Sequence, residues 1–144
     1  MERTGLPVKI SLKTHINQDG VYEDFELIVF GHYYLKGDSH YLKYEEVTDS
    51  GSIHSLVKIS ENRVMISRRG AVNMRLVLIP GYEMTGTFQT EQGTFVLSTE
   101  TKAIEFTKLS NGQVGHLQLK YQLFMEHIDV GLYQLDFTFK EAKQ

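Results

Sequence analysis

Polar and apolar residues alternate along nearly the whole chain, with a period of two. From Val114 to Met125, Leu117, Leu119, Tyr121, Leu123 and Met125 alternate with His116, Gln118, Lys120 and Gln122, the pattern of a strand with one buried and one wet face. Tyr133, Leu135, Phe137 and Phe139 alternate in the same way with Gln134, Asp136 and Thr138, and Val8, Ile10, Leu12 and Ile16 share one face near the start. Further strands are predicted at Phe25 to Leu35, Tyr41 to Val47, Ile53 to Ile59, Val64 to Arg68, Met74 to Ile79, Tyr82 to Thr90 and Thr94 to Leu109. No stretch of helical length repeats apolar residues at helical spacing, so no helical layer is expected.

Short turn signals separate the strands. Asp19-Gly20, Gly37-Asp38, Ser50-Gly51, Glu61-Asn62, Pro80-Gly81, Gln92-Gly93 and Asn111-Gly112 supply residues that favour tight-turn dihedrals, so nearly every connection reads as a hairpin. Only Val47 to Ile53 looks loose. Consecutive hairpins make a meander, which hides its edges most directly by closing on itself, whereas a Greek-key sandwich needs longer crossing connections. The expected fold is therefore all-β: a single antiparallel, mostly up-and-down β-barrel of about eight to ten strands. It forms one domain over residues 1–144 with its core at about 8–139. A barrel of that size holds packed side chains or one small ligand.

Composition narrows the chemistry. A length of 144 residues suits one core, and the formal charge of -3, with both signs interspersed, gives no long-range field to attract nucleic acid or an anionic membrane. The absence of cysteine removes disulfides, thiol nucleophiles and thiolate metal sites together. The opening MERTGLPVKI has no apolar core of a secretory leader, and nothing approaches the roughly 20 apolar residues of a membrane-spanning helix. A cytoplasmic protein without a membrane span is expected.

Three segments resemble a known family. Ser67-Arg68-Arg69-Gly70-Ala71-Val72-Asn73-Met74-Arg75, Thr99-Glu100-Thr101-Lys102 and Leu117-Gln118-Leu119-Lys120-Tyr121-Gln122-Leu123 are similar to the YwiB-like family of uncharacterised bacterial proteins. The resemblance runs from about Val8 to Phe139, and Arg68-x-Gly70-Ala71-Val72-x-Met74 is its most specific part. It implies a calycin-like, lipocalin-related barrel and no activity, the family being a domain of unknown function. This chain has Leu76 and Leu78 where family members often carry Gln and Phe, and Thr90-Glu91-Gln92-Gly93 where they carry Thr-Pro-aromatic-Gly. It also contains no tryptophan, so the Gly-x-Trp motif of true lipocalins is missing.

Candidate site residues follow from strand parity. Arg68 shares a face with Val64 and Ile66, and an arginine pointing into a barrel needs an anionic or carbonyl partner. That partner is either a ligand carboxylate or phosphate, or a protein carboxylate such as Glu45 or Glu100; the remaining alternative is a solvent-facing Arg68. Arg75 is a second candidate, with its face left open because a bulge at Gly70 would swap the two sides. Thr99 and Thr101 share a face and can offer hydroxyls to a ligand or to neighbouring strands. Tyr121 belongs to an aromatic set that either lines a pocket, its hydroxyl fixing a ligand's orientation, or fills the core.

Other groups carry less. The pairs Glu23-Asp24 and Glu45-Glu46 are split between opposite faces; Glu45 is the one considered as an inward base. None of the six histidines has the spacing or carboxylate company of a zinc motif, although His32 and His40 could meet across the Gly37-Asp38 turn. No nucleophile elbow is present. Neither a catalytic residue, a metal site nor a cofactor is therefore assigned. The leading reading is a non-enzymatic small-molecule-binding barrel for an amphipathic or anionic ligand. The alternatives are a protein-interaction or self-associating module with a filled barrel and, further off, an enzyme with an unrecognised site. Binding of single-stranded nucleic acid is disfavoured because acids outnumber bases.

Overall fold

A computed structural model describes residues 5–108 and 114–142 of the chain. Ten strands run in order: β1 (Leu6–Gln18), β2 (Val21–Lys36), β3 (Ser39–Thr48), β4 (Gly51–Ser60), β5 (Arg63–Gly70), β6 (Asn73–Leu78), β7 (Glu83–Thr90), β8 (Gly93–Lys108), β9 (Val114–Met125) and β10 (Ile128–Glu141). Each pairs antiparallel with its sequence neighbours, and β1 closes on β10 from Val8↔Glu141 to Asn17↔Leu132. Closure removes two edges that an open meander would leave exposed. The described residues contain no helix long and apolar enough to cross a membrane.

The strand boundaries depart from the sequence reading in three informative places. Val47 to Ile53 is not loose: β3 and β4 meet at Thr48↔Gly51, and the Thr48 hydroxyl accepts from Ser50 N–H and donates to the Gly51 carbonyl. The β10 strand starts at Ile128 rather than Tyr133 because Glu126 and His127, both at positive φ, make a two-residue turn that no glycine or asparagine announces. No bulge occurs at Gly70, since the β5–β6 register runs unbroken from Val64↔Leu78 to Arg68↔Met74. The register shifts lie instead at Asp129/Gly131 and Thr101/Ala103. Leu109 and the Asn111-Gly112 turn lie outside the described residues.

The barrel interior divides into two halves. At the end bearing the β2–β3 and β4–β5 turns it is packed solid by Val8, Ile10, Leu42, Val57, Val64, Leu78, Leu117, Leu119 and Phe137, all almost wholly buried. An aromatic layer caps this half. Tyr33 stacks on Phe139 at 5.5 Å between ring centroids, His40 meets Phe106 at 4.7 Å, and the Tyr33 hydroxyl bonds His40 Nδ1 at 2.6 Å. The other half is not filled.

Two seams interrupt the sheet. The β2–β3 ladder runs only from Gly31↔Tyr44 to Lys36↔Ser39, so β2 from Val21 to Phe30 is held by β1 alone. The β6–β7 ladder has three pairs, Asn73↔Gln89 to Arg75↔Thr87. Beyond it, Pro80 bridges to Thr101, and the Thr101 carbonyl accepts from Gly81 N–H at 3.3 Å.

Candidate functional site

The unfilled half of the barrel holds a solvent-open cavity of about 730 Å³, well within the range of small-molecule pockets. Its walls are mainly apolar: Leu12 and Leu27, Ile66, Met74 and Leu76, Phe88, Leu97, Leu123 and Met125, and Leu135 and Phe137. The alternation of strands β1, β2 and β5 to β10 turns these side chains inward.

The polar groups gather on neighbouring strands. Tyr44 and Glu46 come from β3 and Arg68 from β5; Ser55 of β4, opposite both Tyr44 and Arg68 in the ladders, is buried but is not part of the cavity lining. Arg68 Nη2 donates to Glu46 Oε1 at 2.9 Å, and both side chains are largely shielded, 30% and 23% exposed. A charge-assisted bond of this kind offsets part of the cost of drawing both charges from water. Neither ion is free, but each keeps hydrogen-bonding capacity directed at the cavity, because guanidinium has five N–H groups and a carboxylate several lone-pair sites.

Three phenols complete the lining. Tyr121 stacks on Tyr133 at 5.6 Å. Burial, and secondarily the neighbouring Tyr133, pushes the Tyr121 pKa far up, while burial followed by the Glu23 charge raises that of Tyr133. Burial also raises the Tyr44 pKa, with the Ser55 hydroxyl and then Arg68 pulling the other way. All three remain protonated donors at neutral pH.

The predicted site residues separate clearly. Arg68 and Tyr121 line the cavity. Arg75 does not: with no bulge at Gly70 it stands opposite Ser67 and Thr87 on the outer face and is exposed. Thr99 and Thr101 are buried but are absent from the cavity lining. Thr99 Oγ1 donates to the Val77 carbonyl at 2.8 Å, where β6 has parted from β7, and the Thr101 hydroxyl has no partner among the described residues.

The partner of Arg68 is Glu46, not Glu45 or Glu100. Glu45 faces outward beside His54, at 3.5 Å, and Glu100 is exposed, so neither can act inside the barrel. Parity would have found Glu46: Leu42 and Tyr44 bracket Lys43, which assigns the even-numbered residues of β3 to the interior. His32 and His40 do not form a cleft. His32 lies opposite Lys43 on the outer face, while His40 lies opposite Ile59 and reaches into the aromatic layer. Among the described residues no group of three His, Asp or Glu side chains could hold a metal ion.

Comparison with known proteins places this architecture. The family model described as a domain of unknown function (DUF1934) matches residues 10–137. The uncharacterised β-barrel protein YwiB of Bacillus subtilis (strain 168) is 28% identical over 134 residues, covering 93% of each chain. The crystal structure of the ywiB protein from Bacillus subtilis superposes with a TM-score of 0.87 at 26% identity, covering 99% of this chain and 96% of that one. The ten-strand closed barrel and the matched family model agree, and the chain belongs to the DUF1934 family of β-barrel proteins.

Proposed function

We propose that this barrel is a non-enzymatic carrier or sensor of a small amphipathic molecule. Its apolar body would fill the open half of the barrel, and its polar head would meet the Arg68–Glu46 pair. One observation supports the reading above the others: an apolar-walled space of about 730 Å³ contains a shielded ion pair on one wall. A head that both donates and accepts can bond guanidinium and carboxylate together. A purely anionic head must compete with Glu46 for Arg68. Binding also suits these groups better than proton transfer does, because the phenols are held protonated and Glu46 is committed to Arg68. The alternative of an interaction module built on a filled barrel has less support, since only one half is packed.

Native mass spectrometry of protein purified without denaturation, before and after organic extraction, tests the reading. A stoichiometric adduct removed by extraction is the expected result. Using a dodecyl-chain carboxylate as the probe, Glu46→Gln is expected to raise affinity about tenfold by freeing the guanidinium, and Arg68→Ala to lower it by a similar factor, the scale of one charge-assisted hydrogen bond. A clean apo mass, together with unchanged probe binding in both variants, would remove the reading.

A further inference from the structure

The open side of β2 borders the cavity, which Phe25, Leu27 and Glu46 help to line, and presents a backbone edge of its own. From Val21 to Phe30 the strand bonds β1 on one side and no described strand on the other, while Glu45 to Thr48 of β3 pair only with β4. Such an edge leaves a row of backbone donors and acceptors ready to pair with an extended chain. Exposed apolar side chains gather here. Of the ten large apolar residues left exposed among the described residues, Val21, Tyr22, Phe25, Ile28, Phe30 and Val47 flank this seam, whereas a soluble surface ordinarily scatters them singly.

Charge selects the occupant. Between Val21 and Phe30 the only ionic residues are Glu23, Asp24 and Glu26, and the facing end of β3 adds Glu45, Glu46 being paired with Arg68. The nearby basic residues belong to β1, on the side away from the free edge: His15 Nδ1 lies 2.6 Å from Asp24 Oδ1, and Lys13 stands opposite Glu26. A second copy pairing here would gather the Glu23, Asp24 and Glu26 carboxylates of both chains in one two-stranded ribbon, where like charges repel. Acids on an edge therefore guard against self-pairing while favouring an opposite-sign partner.

We propose that the free edge of β2 binds an extended peptide segment of alternating apolar and basic residues, added antiparallel or parallel as a further strand beside Val21–Phe30.

The test uses the full chain and three synthetic peptides of about ten residues: alternating valine and lysine, the same with glutamate for lysine, and the basic sequence N-methylated at alternate residues. Titration calorimetry is combined with amide hydrogen exchange. The basic peptide is expected to bind at least about tenfold more tightly than the other two and to slow exchange in β2 between Val21 and Phe30. Asp24→Lys/Glu26→Lys, which changes only exposed side chains, is expected to reverse the preference toward the acidic peptide. Equal binding of acidic and basic peptides, protection mapping elsewhere, or undiminished binding of the N-methylated peptide would each overturn the proposal. So would a concentration-dependent dimer that already protects Val21–Phe30 without peptide, which would make a second copy the occupant.

Discussion

His40 shows how one residue's surroundings set a measurable property. Its imidazole lies in the aromatic cap, hydrogen-bonded to the Tyr33 hydroxyl through Nδ1 and packing on Phe106. Burial, with Lys108 adding to it, lowers its pKa from the ordinary value of 6.5. A histidine whose folded-state pKa is depressed binds fewer protons folded than unfolded, so its stabilising state is complete above about 6.5 and is lost as pH falls through the lowered value. The thermal midpoint is therefore expected to fall as pH drops from about 7.5 to about 5.5, and to fall less in His40→Gln, whose amide oxygen can accept from Tyr33 without titrating. Parallel melting curves across that range check this; identical slopes would show that the cap does not sense protons. The same scale holds the clearest lesson in reading sites. Arg68 is legible because Val64 and Ile66 share its parity, and Glu46 is equally legible from Leu42 and Tyr44, whereas Glu45 and Glu100, the protein carboxylates expected as partners, are exposed.

Among the elements, the β5–β6 hairpin depends most on one backbone conformation. Gly70 has φ 123 and sits where a β-carbon would strike the Ser52 carbonyl oxygen, which accepts from Ala71 N–H at 3.0 Å. Gly93, at φ 133, has open space around the same position. Both substitutions to alanine incur backbone strain of about 1–3 kcal/mol, but only Gly70→Ala adds a clash with an adjacent strand. Denaturant unfolding is expected to show Gly70→Ala as the more destabilised of the two by about 1 kcal/mol or more. Equal losses would mean that the β4–β5 ladder yields without cost. The hairpin also fixes Arg68 against Met74 and turns Arg75 outward, so its register decides which arginine can meet a ligand. Sequence alone could not choose, because a bulge at Gly70 was compatible with the same residues.

The whole barrel combines a solid half with an open half, and this makes occupancy a matter of stability. A molecule that binds only the folded chain stabilises it by about 2.7 kcal/mol at a hundredfold excess over its dissociation constant. At about 2–4 °C per kcal/mol for a chain of this size, that is an upward shift in thermal midpoint of about 5–11 °C. Protein melted before and after organic extraction is expected to differ by that order, with the extracted sample lower. Coincident midpoints would indicate that the cavity carries no bound molecule through purification.

Period-two alternation and regularly spaced turn residues determined the fold class, because one-sided burial imposes a two-residue rhythm on every strand and a meander of hairpins closes most simply on itself. The same parity placed Arg68 and Tyr121 inside. Tertiary structure alone decided how far each ladder runs, since the β2–β3 and β6–β7 pairings stop where strands diverge and no residue pattern marks those points. That divergence consumes the Thr99 hydroxyl on a β6 carbonyl, exposes the edge of β2 and leaves half of the barrel unfilled. These outcomes depend on distances between strands remote in sequence, which alternation along a single strand does not encode.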